Sequence, residues 1–162
     1  MKIGILTSGG DCPGLNAVMR AFAKYVCSHI EDVKIIGFLN GYTGLIEREY
    51  EILEEKDFEN LLLAGGTMLG SKRQPFKQMT VSDGNNRSKL DKMKETYEKL
   101  GLDCLVTLGG AGTHKTAALL ASEGCKVIGL PKTIDNDIWG TDVTFGFSSA
   151  MEIATECIDR MH

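Results

Sequence analysis

Hydrophobic residues fall into short unbroken runs that alternate along the chain with stretches of helical spacing. The first run covers residues 3–6 and carries no charge, which is typical of a strand buried on both faces. Similar runs predict strands over 33–38, 104–108 and 127–130, the last of them stopped by Pro131. Apolar residues spaced three or four apart predict helices over four segments, about 14–28, 85–100, 114–122 and 148–161.

The segment 45–63 fits these patterns less closely, and it predicts a short strand near Tyr50–Leu53 and a short helix near 58–63.

Strands that alternate with helices imply crossover connections and a mainly parallel sheet. The predicted fold class is therefore α/β, a Rossmann-like three-layer arrangement with helices on both faces of the sheet. No repeat or linker divides residues 1–162, so we expect one domain. In such sheets ligands bind beyond the carboxyl ends of the strands.

Composition narrows the class of protein. The amino-acid composition, with 43% hydrophobic and 25% charged residues, is typical of an ordinary soluble globular domain. A net charge of −4 argues against a nucleic-acid partner. No apolar run reaches the ~18 residues of a membrane span, and the first one is too short for a signal peptide, so we expect no membrane partner and a cytoplasmic location. Five scattered cysteines without a C-x-x-C pair indicate neither disulfides nor a zinc site.

Glycine is unusually frequent: 19 of the 162 residues are glycine, a fraction of about 12%, against an average of about 7%. Many of these glycines fall into four clusters, at 9–14, 41–44, 65–70 and 109–112. Clustering without low complexity indicates turns that need special backbone conformations. These turns are therefore the candidate sites for binding and catalysis.

The first glycine loop, residues 7–16, lies between the first strand and the first helix. Paired Gly9 and Gly10 leave backbone N–H groups uncovered, and the helix N-terminus adds positive potential, a combination that suits phosphate. The glycine spacing and Asn40, which stands in place of an acidic residue, do not match the dinucleotide-binding fingerprint. A tight turn that needs glycine only for packing is the alternative.

The second loop, residues 108–116, superficially resembles a Walker A loop because Lys115 precedes Thr116. His114, however, stands where that motif requires glycine. Three glycines, a nearby cation and a helix start capped by Thr113 still predict an anion cradle. The alternatives are a solvated lysine and a surface histidine.

The third loop, residues 131–137, places Asp135 and Asp137 two residues apart beside a hydroxyl, an amide and a cation. One carboxylate can accept a proton from a substrate hydroxyl while the other helps to hold Mg²⁺ or its waters. The alternative is a turn whose side chains cap backbone N–H groups.

A fourth segment, residues 65–75, brings Lys72 and Arg73 beside glycines. The guanidinium of Arg73 suits two phosphate oxygens, and the alternative is an exposed arginine in a mobile loop. The first three loops directly follow predicted buried strands, so we expect them to converge on one rim of the sheet. Together the four loops favour phosphoryl transfer.

These motifs resemble the phosphofructokinase family over essentially the whole chain. The shared motifs are GGDxPGxN at 9–16, GYxGL at 41–45, GGTxLGSxR at 65–73 and TIDND at 133–137. The resemblance implies the N-terminal lobe of a phosphofructokinase-like fold. It also implies ATP-dependent transfer of a phosphoryl group to the 1-hydroxyl of fructose 6-phosphate, which gives fructose 1,6-bisphosphate in glycolysis.

The resemblance assigns roles to residues. Asp135 becomes the base that takes the proton from the sugar hydroxyl, Thr133 contacts the transferring group, and Asp137 positions Mg²⁺. Arg73 bridges the phosphates and stabilises charge in the transition state. The implied sugar-phosphate residues are Lys132, Thr133, Ile134 and Asp135. The implied donor-binding residues are Gly10, Tyr42, Lys72, Arg73, Gly110, Ala111, Gly112 and Thr113.

Three positions bear on whether the site binds Mg²⁺ and on whether its phosphoryl donor is ATP or pyrophosphate. Ala111 stands where the family usually has a Mg²⁺-binding aspartate, and a methyl group offers no oxygen ligand. A catalytically impaired, nucleotide-binding regulatory subunit is therefore one alternative. Gly112 goes with ATP in this family, whereas Lys132 stands where pyrophosphate enzymes carry lysine. ATP is the expected donor, and a pyrophosphate-dependent enzyme of the same family is the second alternative.

Members of the family continue into a second lobe that supplies much of the sugar-phosphate site. Residues 1–162 are accordingly expected to be the donor-binding α/β lobe of a longer protein, a fragment that does not phosphorylate fructose 6-phosphate efficiently alone. The family forms dimers or tetramers, so we expect a homo-oligomer. Arg20 and Lys24 are either part of an effector site between subunits or exposed helix charges.

Overall fold

The computed structural model describes residues 1–84 and 86–161, which form one six-stranded sheet with helices packed on both of its faces. The strands are β1 (Lys2–Thr7), β2 (Lys34–Phe38), β3 (Tyr50–Leu53), β4 (Cys104–Gly109), β5 (Val127–Thr133) and β6 (Phe145–Gly146). The α-helices are α1 (Leu15–His29), α2 (Tyr42–Glu47), α3 (Lys89–Leu100), α4 (Ala111–Ser122) and α5 (Phe147–Asp159). Two 3-10 helices span Glu55–Leu61 and Phe76–Gln78.

The strand order is β3-β2-β1-β4-β5-β6, and every neighbouring pair is parallel except β2 with β3. This order confirms the predicted mainly parallel α/β sheet. From β1 the chain moves outward to β2, and from β4 it moves outward in the opposite direction to β5. The connections therefore diverge between β1 and β4, which is the switch point where such sheets bind ligands.

Two apolar cores cover the two faces of the sheet. Ile3 and Ile5 of β1 pack with Leu15 and Met19 of α1 on one face. Leu6 points to the other face, where it packs with residues of α2, α3 and α4. The alternation along β1 follows from the two-residue period of a strand. Because both faces are covered, β1 is apolar throughout its centre, as the charge-free run predicted.

Two predicted boundaries were wrong. β5 continues past Pro131, which pairs with Gly109 of β4, because the opposite neighbour β6 pairs only from Lys132 onward. A proline without an N–H is tolerated where no ladder bond is needed on that side. The helix predicted over 85–100 begins at Lys89, since the Ser88 hydroxyl accepts from the N–H of Asp91 at 3.1 Å in a capping box. Asn85, within that prediction, lies outside the described residues.

Other predictions near the glycine clusters also need correction. Thr113 does not cap α4, because the helix begins at Ala111 with Gly110 as its N-cap residue and Thr113 lies inside the first turn. Most of the GYxGL segment lies in the short helix α2, which was not predicted because glycine is unfavourable inside a helix. The strand predicted at Tyr50–Leu53 is confirmed, whereas the predicted helix near 58–63 is a 3-10 helix at Glu55–Leu61.

The C-terminal helix is open to solvent. α5 has no buried residue, and the side chains of Met151, Ile153 and Ile158 are each more than half exposed. Trp139, in the preceding loop, is 98% exposed. Apolar surface of this extent is unusual for a monomeric domain. Within residues 1–84 and 86–161 the structure has no helix long and apolar enough to cross a membrane.

Candidate functional site

A cavity of about 580 Å³ opens beyond the carboxyl ends of β1, β4 and β5. The loops that follow these three strands supply much of its wall, so they meet at one rim of the sheet as expected. The residues singled out from the sequence that line it are Gly10, Tyr42, Arg73, Gly110, Ala111, Gly112, Thr113, Lys132, Thr133, Ile134, Asp135 and Asp137.

Some residues fall differently from the sequence-based expectation. The side chain of Lys72 is exposed and does not line the cavity, whereas its carbonyl accepts from the Ser8 hydroxyl at 3.5 Å. Arg20 lies on α1 outside this cavity, where its guanidinium donates to the carbonyl of Glu59 at 3.2 Å. Gly9 of the first glycine loop also lines the cavity, and the lining residues to which the sequence gave no separate role are Ser8, Asp11, Cys12, Gln74, Pro75 and Phe76. Their only signal was their place inside or beside the glycine motifs.

The loop after β1 brings its backbone close to the cavity. Gly9 has a φ of +98°, a left-handed conformation that favours glycine. A Cβ on Gly10 would lie 3.3 Å from Nη2 of Arg73, so a larger side chain would push this guanidinium away. The glycines thus serve close approach as well as the turn.

Lys132 is a buried cation at the floor of the cavity. Only 4% of the residue is exposed, and its Nζ donates a hydrogen bond to the carbonyl of Gly10. Burial lowers the pKa of this ammonium group, while the nearby Cys12 and Asp11 oppose the shift. The bond ties the end of β5 to the first glycine loop and places positive charge beneath it.

The loop after β4 leads directly into α4, and the residues that begin this helix line the cavity. Gly110 has extended backbone (φ −84°, ψ −169°), and Ala111 and Gly112 are exposed in the first turn. The first N–H groups of a helix have no partner inside the helix and carry partial positive charge. Tyr42 lies deeper in the wall, where burial of its ring raises the pKa of its hydroxyl.

The polar side chains of the loop after β5 have two different roles: the amide of Asn136 stabilises the turn, and the carboxylates of Asp135 and Asp137 are exposed. The Asn136 side chain accepts from the N–H of Thr144 at 2.9 Å and donates to the carbonyl of Asp142 at 3.2 Å, which holds the turn closed. The Thr133 hydroxyl accepts from the N–H of Asp135 at 3.1 Å and donates to its carboxylate at 3.3 Å. The turn interpretation therefore describes Asn136, while Asp135 and Asp137 face the cavity.

Arg73 is exposed, but the chain on each side of it is anchored. The Ser71 hydroxyl donates to the carbonyl of Gly9 at 2.8 Å. The Gln74 amide donates to the hydroxyl of Thr43 at 2.9 Å and accepts from Lys89 Nζ at 2.7 Å. These bonds do not fit the alternative of an arginine in an unanchored loop.

The oxygen groups at the cavity suit Mg²⁺ better than a softer metal. Asp135, Asp137 and the hydroxyl of Thr133 are hard ligands, and Ala111 adds none. In the part of the chain that the structure describes, no cluster of three or more His, Cys, Asp or Glu side chains could hold an ion by itself. The donor set therefore fits an ion that is bound by one or two carboxylates together with the phosphates of a ligand.

The two polar residues beside the second glycine loop differ from each other. Lys115 is exposed, in agreement with a solvated lysine. His114 was expected at the surface, but its ring packs over Gly129 of β5, where a Cβ would lie 2.7 Å from Cε1. Burial lowers the pKa of this imidazole, and among the described residues its Nε2 has no hydrogen-bond partner. His114 is therefore a packing residue of α4.

The family model for phosphofructokinase matches residues 2–162 of the chain. An ATP-dependent 6-phosphofructokinase of Spirochaeta thermophila is 57% identical over 98% of this chain and 44% of its own length. ATP-dependent 6-phosphofructokinase 3 of Bacteroides thetaiotaomicron is 48% identical over the whole chain and 48% of its own length. The chain thus spans about half the length of the curated relatives that it matches.

Solved structures give the same fold. Phosphofructokinase of Pichia pastoris in the T-state superposes on 98% of this chain with a TM-score of 0.85 at 31% identity, over 18% of its own length. A pyrophosphate-dependent phosphofructokinase of Marinobacter aquaeolei covers 99% of this chain and 41% of its own, with a TM-score of 0.77 at 23% identity. The second similarity concerns the fold alone.

Proposed function

The chain belongs to the phosphofructokinase family, and we propose that it forms the donor-binding half of an ATP-dependent 6-phosphofructokinase. One observation carries the proposal: two glycine loops, the guanidinium of Arg73 and the carboxylate of Asp135 all line one cavity at the switch point of the sheet. The relatives at 57% and 48% identity, both named as ATP-dependent enzymes, support the same donor.

The phosphates of the donor lie against the two glycine loops. The exposed first turn of α4 offers backbone N–H groups, and the buried ammonium of Lys132 adds a positive charge below them. Arg73 reaches the same space from the opposite loop, since its Nη2 lies close to Gly10. The site thus concentrates donors and charge where a phosphoryl group carries its negative oxygens.

Gly112 supports ATP rather than pyrophosphate. Nothing lies within 4 Å of the position that a Cβ would take on this residue, so the cavity has open space beside the start of α4. A nucleotide needs room for an α-phosphate and a sugar beyond the two phosphates that pyrophosphate also has. The buried Lys132 does not argue for pyrophosphate, because its ammonium donates to the backbone carbonyl of Gly10.

Asp135 is the proposed base for the acceptor hydroxyl. Its carboxylate is exposed to the cavity, and Thr133 both supports its backbone N–H and donates to one carboxylate oxygen. A carboxylate held in this way accepts the proton of an incoming hydroxyl as the new bond to phosphorus forms. Lys132 and Ile134 border the same space, on the side of the sugar phosphate.

Asp137, with Asp135 beside it, would hold Mg²⁺ through oxygen ligands. When bound, the ion neutralises charge on the phosphate oxygens. Ala111 supplies no ligand, so metal affinity would depend on this loop, on Asp11, which also lines the cavity, and on the phosphates of the donor. That dependence also motivates the second candidate function, a regulatory subunit that binds nucleotide without turnover.

The exposed apolar face of α5 supports a second lobe in the whole protein. Met151 and Ile158 on this helix, together with Trp139, present an apolar surface that another part of a longer chain would cover. The same lobe would complete the site for fructose 6-phosphate. Homo-oligomeric assembly and a cytoplasmic location are part of the proposal on the ground of family membership.

The test is phosphorylation of fructose 6-phosphate by the complete gene product, with Mg-ATP and Mg-pyrophosphate assayed side by side. We expect formation of fructose 1,6-bisphosphate with ATP. Turnover with pyrophosphate alone would contradict the assigned donor. Nucleotide binding without turnover by either donor would instead support the regulatory subunit.

A further inference from the structure

The segment that carries Arg73 depends on other elements for its shape. Between the 3-10 helices at Glu55–Leu61 and Phe76–Gln78, the chain from residue 62 to residue 75 forms turns, a bend and irregular backbone, without a helix or a strand. Such a segment is held by the hydrogen bonds that side chains elsewhere make to its backbone. The residue that makes most of the contacts at its beginning is Asn16.

Asn16 lies in the first turn of α1 and is 3% exposed. Its Nδ2 donates to the carbonyl of Ala64 and to that of Gly65, each at 3.1 Å. Its Oδ1 accepts from the N–H of Met68 at 2.8 Å. Both hydrogens of the amide and its oxygen are thus used on one short stretch of backbone, a pattern that only a side-chain amide of this length supplies.

The fixed stretch leads directly to the cavity. Leu69, which follows Met68, is 2% exposed and packs into the core beside α1. Next, the carbonyl of Gly70 accepts from the hydroxyl of Thr7 at 2.8 Å. Finally Ser71 bonds to the carbonyl of Gly9, two residues before Arg73. Asn16 holds the beginning of this path, the N–H of Asn40 donates to the carbonyl of Leu69 at 2.8 Å in its middle, and β1 with its glycine loop holds the end.

α1 follows the first glycine loop and starts at Leu15, so Asn16 is rigidly connected to the loop proposed to bind phosphate. The same helix turn therefore fixes the phosphate loop and, through Asn16, the arginine loop that faces it. A rigid connection of this kind keeps the guanidinium at the distance that transition-state stabilisation needs.

We propose that Asn16 is a positioning residue that sets the place of Arg73 by binding the backbone at Ala64, Gly65 and Met68. The inference rests on the proposed function for the role of Arg73 in phosphoryl transfer. Asn16 itself does not line the cavity, and it acts only through the segment that it holds.

The experiment uses the complete gene product with Asn16→Asp, Asn16→Ala and, as a matched control, Thr96→Ala. Thr96 is 1% exposed and its hydroxyl donates to the carbonyl of Lys92 at 2.9 Å within α3, so its loss also removes one buried hydrogen bond. Asn16→Asp keeps the size and the acceptor for Met68 but removes both donors. If either variant does not fold, the other provides the measurement.

The first readout is a double-mutant cycle with Arg73→Ala on kcat/KM and on the dissociation constant for Mg-ATP. We expect Asn16→Asp to lower kcat/KM about tenfold or more, mainly through kcat, because the segment loses two hydrogen bonds and a carboxylate oxygen then faces the carbonyls of Ala64 and Gly65. In the Arg73→Ala background the same substitution should have little further effect. An equal loss in both backgrounds would overturn the proposal, as would an unchanged kcat/KM in a folded Asn16→Asp protein.

The second readout does not depend on turnover. Hydrogen exchange at the amide of Met68 should be faster in Asn16→Ala than in the unsubstituted protein, and trypsin should cleave sooner after Lys72 and Arg73. Thr96→Ala should change neither rate. Unchanged protection of Met68 would overturn the proposal even in an active enzyme. If the protein has no turnover, the proposed function fails separately, and hydrogen exchange at Met68 together with trypsin cleavage still decides whether Asn16 holds the segment.

Discussion

The hydroxyl of Tyr42 donates a hydrogen bond of 2.9 Å to the backbone carbonyl of Thr113. Tyr42 opens α2, and Thr113 lies in the first turn of α4, so the bond joins two helices that β3, α3 and β4 separate in the sequence. Tyr42 is 1% exposed. Through its hydroxyl Tyr42 therefore supports the backbone of the second glycine loop, and the residue also lines the cavity.

Tyr42→Phe tests this support. Removing only the hydroxyl should lower the free energy of unfolding by about 1 kcal/mol and weaken binding of Mg-ATP, because the first turn of α4 loses a buried tie. Urea unfolding and nucleotide titration would measure the two effects. Tyr25→Phe is the matched control, since Tyr25 is 66% exposed on α1. Equal effects of the two substitutions would contradict the assigned role.

Gly109 and Gly112 should respond differently to the same substitution. A Cβ on Gly109 would lie 2.5 Å from Cβ and 2.6 Å from Cγ2 of Thr113, so Gly109→Ala should destabilise the protein by about 1–3 kcal/mol. Gly112→Ala meets nothing within 4 Å and lies inside α4, so stability should be equal or higher.

Although Gly112→Ala should not lower stability, it should lower the affinity for the phosphoryl donor. Its added methyl group points to open space at the cavity, where the proposed donor lies, so Gly112→Ala should weaken Mg-ATP binding more than it changes stability. Thermal unfolding beside nucleotide titration separates the two effects. Loss of stability in Gly112→Ala without loss of affinity would show that the glycine serves packing.

The strands and long helices were predictable because their signals are local. The charge-free run of β1 and the apolar spacing of α1 each report burial directly, and burial depends on the face that a residue presents. Where glycine dominates, the pattern fails: α2 contains Gly44, and glycine is needed at this position because the surrounding backbone leaves no room for a side chain. Tertiary contacts of this kind have no signature in a single sequence.

The site was predictable as far as topology determines it. Loops that follow adjacent parallel strands must share a rim, so the meeting of Gly10, Gly110 and Asp135 at one cavity follows from strand order. The position of a side chain within a loop does not follow. Lys72 and Arg73 are neighbours, yet only Arg73 lines the cavity, because the hydrogen bonds of Ser71 and Gln74 set the local twist.

Asp135→Asn should abolish most turnover of the complete gene product. An amide of the same size cannot accept the proton of the acceptor hydroxyl, so kcat should fall by about 10²- to 10⁴-fold with little change in affinity for Mg-ATP. Steady-state kinetics and nucleotide titration measure both quantities. Asp159→Asn, at the exposed end of α5, should leave kcat unchanged. A loss below about threefold in Asp135→Asn would exclude a role as general base.

His114 should make stability depend on pH. Burial lowers its pKa in the folded protein below the ordinary value of 6.5, so the unfolded chain binds the proton more tightly. Stability is therefore complete above about pH 6.5 and decreases as the pH falls from there toward the folded pKa. Denaturant unfolding between pH 5 and pH 8, at about half-unit steps, would measure this slope.

His114→Gln should flatten that part of the profile, whereas His29→Gln should preserve it. His29 is exposed at the end of α1, where its ring stacks on Tyr25. Carboxylates contribute to the slope at lower pH in every variant, so only the difference between the two profiles is diagnostic. Profiles that coincide would mean that the imidazole of His114 titrates alike in the folded and unfolded states.

The apolar face of α5 should behave as an interface that residues 1–162 alone leave uncovered. Met151 and Ile158 are 53% and 54% exposed, so this piece should bind an apolar dye and self-associate, and Met151→Glu with Ile158→Glu should reduce both. Ile52→Glu is the control, because Ile52 is 69% exposed on β3, at the opposite edge of the sheet from β6 and α5. In the complete gene product the α5 substitutions should instead destabilise the fold, since charge would then be buried. Unchanged stability of the whole protein would show that no second lobe packs on this helix.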